Sequence, residues 1–136
     1  MSLKNLSAKN KIPKILKDKL SNKRINLIYE RFEETLNIED DFLVAVSGGP
    51  DSSALAFLSK IYSIKHKINA KFLIVDHKLR PESTKEAKTV KKNLKKISIN
   101  SEILTWHGKK PLKNIQALAR KKRYELLIHK CRKYKI

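Results

Sequence analysis

The chain has 136 residues, and its 32 Lys and Arg against 13 Asp and Glu give a formal net charge of +19. This length predicts one domain, and a hydrophobic content of 40% is sufficient to build its core. Few glycines and prolines and a single cysteine, Cys131, exclude collagen-like, mucin-like and disulfide-framework proteins and fit a reducing compartment. Because no stretch has the apolar length of an export signal or a spanning helix, we expect a cytoplasmic protein without membrane contact.

The positive charge indicates a polyanionic partner. Lysines outnumber arginines by 26 to 6, a bias that is also typical of AT-rich genomes, so the charge alone overstates nucleic-acid binding. The electrostatic field of such a charge nevertheless raises the rate at which the protein encounters RNA or DNA, and it makes the affinity for nucleic acid dependent on salt.

The N-terminal segment 1–20 is rich in lysine and contains Pro13, which predicts a mobile basic arm. The alternative is a short surface helix, because three apolar residues are spaced four apart. They are Ile12, Leu16 and Leu20.

An amphipathic helix is predicted next, from Asn22 to about Asn37. Its apolar face comprises Ile25, Ile28, Phe32 and Leu36. An acidic loop follows, and then the continuous apolar run Phe42 to Val46, which is typical of a strand buried on both faces.

After this first strand, helix-like and strand-like segments alternate. They are a helix over 51–64, a strand over 70–75, a helix over 82–97, a strand over 101–105 and a helix from about 114 to 134. This alternation predicts an α/β fold with a doubly wound parallel sheet. Three strands make one half of such a sheet, so we expect the chain to be truncated.

The segment Ser47-Gly48-Gly49-Pro50-Asp51-Ser52 lies between the first strand and the next helix. Glycine allows close approach of a ligand to the backbone, and the free N–H groups of a helix N-terminus favour an anion. The two serines add hydroxyl donors. Because parallel sheets bind ligands at the carboxyl ends of their strands, we interpret this segment as a phosphate-binding loop.

The spacing excludes two common nucleotide loops, since GxxxxGK[ST] and GxGxxG are both missing. Asp51 would repel a phosphate unless a cation lay between them, so it predicts Mg²⁺. The alternative is a simple helix start, with Asp or Ser as the cap and Pro50 in the first turn.

The loop SGGPDS resembles the PP-loop of the N-type ATP pyrophosphatases. The segment VDHKLRPES at 75–83 further resembles the signature of tRNA(Ile)-lysidine synthetases, and Trp106-His107-Gly108 and the QALARKKRY segment at 116–124 resemble later segments of that family. The resemblance implies a Rossmann-like fold of the adenine nucleotide alpha hydrolase type. Residues 21–136 would be the N-terminal part of this domain, preceded by the basic arm.

The resemblance also implies roles for individual residues. Ser47, Gly48, Gly49, Pro50, Asp51 and Ser52 would hold ATP phosphates, with Asp51 on Mg²⁺ and in catalysis. Asp76 and His77 would lie beside the nucleotide, with Asp76 also catalytic. Independently of the resemblance, a carboxylate at the end of a strand is suited to bind a metal ion or ribose hydroxyls. The alternatives are that Asp76 caps a turn and that His77 is exposed to solvent.

Arg80, Arg120 and Arg123 stand out against the lysine background, because arginine binds phosphate bidentately. We predict Arg80 and Arg123 as ATP ligands and Arg120 as catalytic. The alternative for each is a surface charge paired with a local acid. Trp106 could stack on a base, although a core or rim anchor is favoured.

The function implied by the resemblance is ligation of lysine to carbon 2 of the wobble cytidine in tRNA(Ile) with a CAU anticodon. We expect this chain to retain only the ATP-binding part of that activity. ATP adenylates the base, and the lysine amine then displaces AMP. The expected partners are this tRNA, L-lysine and ATP, and we also consider a homodimer. The alternatives are a related tRNA thiolase, which a single late cysteine disfavours, and a non-catalytic nucleotide- or RNA-binding module.

Overall fold

A computed structural model describes residues 11–136 of the chain. The helices in this range are α1 (Lys14–Leu20), α2 (Lys23–Thr35), α3 (Pro50–His66), α4 (Ser83–Lys96) and α5 (Ile115–Tyr134). The strands are β1 (Phe42–Ala45), β2 (Ala70–Asp76) and β3 (Ser101–Thr105). The predicted alternation is confirmed, with boundaries within two residues. Among the described helices, none combines the length and apolar character needed to cross a membrane.

The described strands form one parallel sheet in the order β1-β2-β3. Phe42 lies opposite Ala70, and Asp76 lies opposite Thr105. The pairing extends past the strand ends, because Val46 N donates to Leu73 O and Trp106 N donates to Asp76 O. The segments that follow the strands therefore emerge together at the carboxyl edge of the sheet.

Helices cover both faces of the sheet, as expected for the α/β class. On one face, Phe72 and Ile74 of β2 pack in a buried cluster with residues of α3 and α4. On the other face, Leu73 and Leu104 pack against Leu127 of α5. Since β2 alternates its side chains between two apolar layers, its sequence is an apolar run rather than an alternating one.

The prediction of a mobile arm is wrong for residues 14–20, which form α1. Leu16 is fully buried there against Tyr29, Ile61 and Tyr62, with Ile12 and Leu20 packed at the margin. Burial of this apolar stripe stabilises the segment, so the helical alternative applies. Residues 1–10 of the predicted arm lie outside the described residues.

The predicted apolar face of α2 is corrected at one position. Ile28 is 56% exposed, and the residue buried in its place is Tyr29. The Tyr29 hydroxyl donates to Glu33 Oε1 over 3.0 Å, which satisfies its polar atom inside the cluster. Asn22 caps α2, since its side chain accepts from the backbone N–H groups of Arg24 and Ile25.

Candidate functional site

A cleft of about 500 Å³ opens at the carboxyl edge of the sheet. The ends of β1 and β2 form its floor, and α4 and α5 contribute its walls. Five of the predicted site residues line it: Ser47, Asp76, His77, Arg80 and Arg123. The structure therefore gathers residues that are as much as 76 positions apart (123 − 47) into one site.

The predicted phosphate loop continues from the cleft at Ser47 into α3. Its centre is the Ser52 hydroxyl, which accepts from Ser47 N and Gly48 N at 3.1 Å each. Ser52 Oγ also lies 2.9 Å from Ser47 Oγ and 3.3 Å from Gly49 O. Two backbone N–H groups thus converge on a single oxygen, as they would on an oxygen of a bound anion.

The two glycines of this loop differ in what the fold requires of them. Gly48 has φ +94°, and a Cβ at this position would collide with Val90 of α4. Gly49 has φ −71°, and its nearest neighbour, Ser47 Oγ, would lie 3.8 Å from an added Cβ. Internal packing therefore demands glycine at position 48 alone.

Asp51 lies exposed in the first turn of α3, after Pro50 at the first helical position. Among the described residues it forms no ion pair, and no group of three His, Cys, Asp or Glu residues could hold a metal ion. Proteins usually bind Mg²⁺ through one or two carboxylates and substrate phosphates. A single free carboxylate beside a phosphate loop fits that pattern.

The Asp76 side chain is 2% exposed, and both of its oxygens accept hydrogen bonds from the chain. Oδ1 accepts from Lys78 N at 3.0 Å, and Oδ2 accepts from the Thr84 hydroxyl at 2.7 Å. Lys78 has φ +51°, so the first bond holds an unusual turn. Asp76 thereby fastens the segment 77–82 to the start of α4. This is the role in capping a turn that the sequence offered as an alternative for Asp76.

His77 lies on the fastened segment and lines the cleft. Its Nδ1 atom is buried and has no hydrogen-bond partner among the described residues. Burial, followed by the positive charge of Arg123, lowers the pKa of His77 below its ordinary value of 6.5. A neutral imidazole with an unused polar atom can donate to or accept from a ligand in the cleft.

The three predicted arginines occupy different environments. Arg80 pairs with Glu86 over 2.7 Å at the rim of the cleft, as in the local-pair alternative. Arg123 lines the cleft and pairs with no acid among the described residues. Arg120 does not line the cleft, although its guanidinium and that of Arg123 each lie 5.7 Å from the centre of the Tyr124 ring. Arg123 is therefore the guanidinium that is free to meet an anion there.

Several cleft or supporting residues were not singled out by the sequence. Thr84 supports Asp76, Val90 packs over Gly48, and Tyr124 lines the cleft beside Arg123. Tyr124 follows a predicted arginine directly and could have been found from that position. Thr84 and Val90 carry no local signal, because their roles depend on how α4 packs on the sheet. Trp106 is 8% exposed, which fits the predicted core or rim anchor.

Similarity to known proteins agrees with this geometry. A tRNA(Ile)-lysidine synthase of Orientia tsutsugamushi is 44% identical over 93 residues, which cover 68% of this chain and 21% of that protein. One from Rickettsia bellii is 33% identical over 116 residues, covering 81% of this chain and 27% of that protein. One from Rhodopseudomonas palustris is 42% identical over 87 residues, with 62% and 25% covered.

The chain thus spans between 21% and 27% of the length of these curated relatives. The family model described as the PP-loop domain matches residues 17–136, which include α2, the complete described sheet and the cleft. On this match, together with the glycine loop after β1 and the cleft beside it, the chain belongs to the PP-loop domain family.

Proposed function

We propose that the cleft binds ATP, with its phosphates on the loop 47–52 and at Arg123. The observation that carries this proposal is the buried, unpartnered Nδ1 atom of His77, which lines the cleft next to a free guanidinium. Leaving a buried polar atom unpaired costs free energy, so a ligand that satisfies it is favoured. The apolar ends of β1 and β2 offer a surface for the flat base.

Asp51 would hold Mg²⁺ together with phosphate oxygens. The ion would supply charge neutralisation at the phosphates when bound. The Ser47 and Gly48 N–H groups now share the Ser52 hydroxyl, and that hydroxyl can rotate away to release both donors to a phosphate oxygen. Arg80 would have to leave Glu86 to bind phosphate, so we assign it a lesser role than Arg123.

We infer further that the chain serves in lysidine synthesis on tRNA(Ile), as the names of its relatives suggest. In the first step, the oxygen on carbon 2 of the wobble cytidine attacks the α-phosphate of ATP, and pyrophosphate leaves. In the second, the amine of L-lysine attacks carbon 2, the carbon–oxygen bond to AMP breaks, and the amine loses a proton. The described residues offer a site for the nucleotide in the first step.

A magnesium-dependent binding measurement tests the ATP site. Calorimetric titration of the chain with ATP should show saturable binding in Mg²⁺ and weaker binding in EDTA. Asp51→Asn should remove most of this difference. The matched control is Asp40→Asn, which removes another exposed carboxylate, in the loop before β1 at the amino edge of the sheet. Equal effects of the two substitutions, or no binding of ATP, would refute the assignment.

The tRNA reaction has a separate test. Radiolabelled ATP, a CAU-anticodon tRNA and L-lysine are incubated with the chain, and AMP, pyrophosphate and lysine incorporated into tRNA are measured. Omission of lysine should block incorporation but still permit adenylation of the tRNA. Incorporation of sulfur instead of lysine when a sulfur donor is supplied would favour the thiolase alternative.

A further inference from the structure

We propose that a second groove, on the β3 side of the carboxyl edge, binds an unpaired RNA strand. This groove lies between the 106–112 loop and the N-terminal half of α5 and encloses about 520 Å³. Because the RNA would be the substrate that the ATP cleft modifies, this proposal rests on the proposed function. It adds a place on the protein where the RNA lies.

The apolar part of the groove is unusually exposed for a folded domain. Leu112 is 93% exposed and Leu118 is 41% exposed, and Trp106 and Pro111 lie beside them. Exposed leucines that share one groove indicate a binding surface. The faces of unpaired bases can cover such a surface, whereas a duplex hides its bases in the stack.

The charged part of the groove selects an anionic occupant. Lys109 and Lys121 are exposed, line the groove and form no ion pair among the described residues. Two other lysines are engaged by the protein itself. Lys110 donates to Trp106 O and Gly108 O, and Lys122 pairs with Glu125 over 3.5 Å. Glu125 is the single acid in the lining, so the free charge of the groove is positive.

The position of the groove connects it to the ATP cleft. Trp106 directly follows β3, and His77 directly follows β2. Ser47 comes two residues after the end of β1, so all three residues lie at the carboxyl edge of the sheet. Helix α5 borders both sites, with Lys121 and Lys122 in the groove and Arg123 and Tyr124 in the cleft. A strand held in the groove can therefore extend along α5 and place a neighbouring nucleotide at the cleft.

The unpaired lysine side chains and the apolar floor of the groove match single-stranded RNA, in which phosphates alternate with unstacked bases. The lysines would contact the phosphates, and the apolar floor would contact the bases. The phosphates of a duplex could contact the lysines, but its stacked bases could not cover the leucines, which would stay exposed to solvent. A second copy of this chain would bring its own positive charge to the groove, which opposes self-association at this surface.

The single tryptophan of the chain provides a local readout, since Trp106 lines the groove. The complete 136-residue chain is titrated with a seven-nucleotide unpaired RNA, with the same RNA in a duplex, and with inorganic polyphosphate, while Trp106 emission is recorded. We expect a saturable change in emission with the unpaired RNA. The duplex and polyphosphate should change the emission much less at equal phosphate concentration.

Two sets of variants assign the binding to the groove. Lys109→Gln with Lys121→Gln should weaken binding of the unpaired RNA about fivefold or more and lower the salt slope by about 1.4, near 0.7 per phosphate contact. The matched control is Lys95→Gln with Lys96→Gln, at the end of α4 remote from the carboxyl edge, which should change the affinity less than about twofold. Leu112→Ser should weaken binding about threefold without changing stability, because its side chain is exposed.

Three results would overturn the proposal. One is equal weakening by both lysine pairs, which would show binding by net charge alone. Another is an unchanged Trp106 emission in saturating RNA. The third is concentration-dependent dimerisation that Leu112→Ser abolishes, which would assign the groove to a second copy. ATP affinity, measured by calorimetry on the same variants, separates the two proposals, because failure of the groove leaves ATP binding intact.

Discussion

The Thr84 hydroxyl donates a 2.7 Å hydrogen bond to Oδ2 of the buried Asp76 carboxylate. This bond joins the end of β2 to the first turn of α4 across the segment that carries His77 and Arg80. Because Oδ1 of the same carboxylate holds the turn at Lys78, one buried charge sets both ends of the segment. We infer that the Asp76–Thr84 bond positions the residues of segment 77–82 at the cleft, which Asp76 itself also lines.

Removal of the Thr84 hydroxyl tests this positioning. Thr84→Val keeps the shape of the side chain but leaves one oxygen of a buried carboxylate without its donor, so we expect a loss of about 1–3 kcal/mol in the free energy of unfolding. ATP affinity should fall as well, because His77 loses its placement. Urea unfolding and calorimetry measure the two effects.

Thr84→Ser is the control, since it restores the hydroxyl without the methyl group. It should recover most of the ATP affinity. If Thr84→Val lowers stability but leaves ATP affinity unchanged, the bond serves the fold alone and the positioning role is incorrect.

The two loop glycines should separate folding from ligand binding. Gly48→Ala forces a side chain into a positive-φ position against Val90, which should cost about 1–3 kcal/mol of stability. Gly49→Ala meets neither obstacle and should stay within about 1 kcal/mol of the natural chain. If phosphates approach this backbone, Gly49→Ala should still weaken ATP binding.

A double-mutant cycle with Val90→Ala isolates the contact part of the Gly48 effect. We expect a coupling of about 0.5–3 kcal/mol, because the smaller side chain makes room for the added Cβ. Absence of coupling would show that backbone strain alone explains the loss. Unchanged ATP affinity in Gly49→Ala would argue against close phosphate approach at this residue.

The pKa of His77 predicts a pH dependence with a definite sign. Its pKa in the folded chain lies below 6.5, mainly through burial and then through Arg123, with Lys110 acting in the same direction and Asp76 opposing. The unfolded chain therefore binds the proton more readily. The contribution of neutral His77 to the free energy of unfolding is therefore present above pH 6.5, and it is lost as the pH falls through the pKa of His77 in the folded chain.

NMR titration of the His77 ring checks this sign, and Arg123→Gln should raise the pKa because it removes a nearby positive charge. The matched control is Arg120→Gln, one turn away on α5 and outside the cleft lining. It should leave the titration unchanged. A pKa of His77 at or above 6.5 in the natural chain would contradict the described environment.

The N-terminal helix should contribute measurable stability. Leu16 of α1 is fully buried against α2 and α3, so Leu16→Ala should cost about 2–4 kcal/mol in urea unfolding. The adjacent Ile15 is 38% exposed, and Ile15→Ala should cost about 1 kcal/mol or less. Equal small effects would mean that the segment behaves as the mobile arm that its lysines predict.

The sequence by itself determined the order and type of the elements and the location of the glycine loop between β1 and α3. Its apolar runs over β1 and β2 and the helical periodicity of α4 are local signals, because a strand or helix face is encoded by neighbouring residues. The segments that follow β1, β2 and β3 could also be placed at one edge, since parallel strands share their direction.

Only the tertiary structure decided how individual side chains are used. Arg80 and Arg123 have the same chemistry in the sequence, yet Arg80 pairs with Glu86 and Arg123 remains free in the cleft. The burial of Tyr29 instead of Ile28 follows from contacts with α1 and α3, and that of Leu16 likewise. The contacts of these side chains are made with residues of other helices and strands. The spacing of residues within one helix or strand does not indicate which of those residues will pack against it.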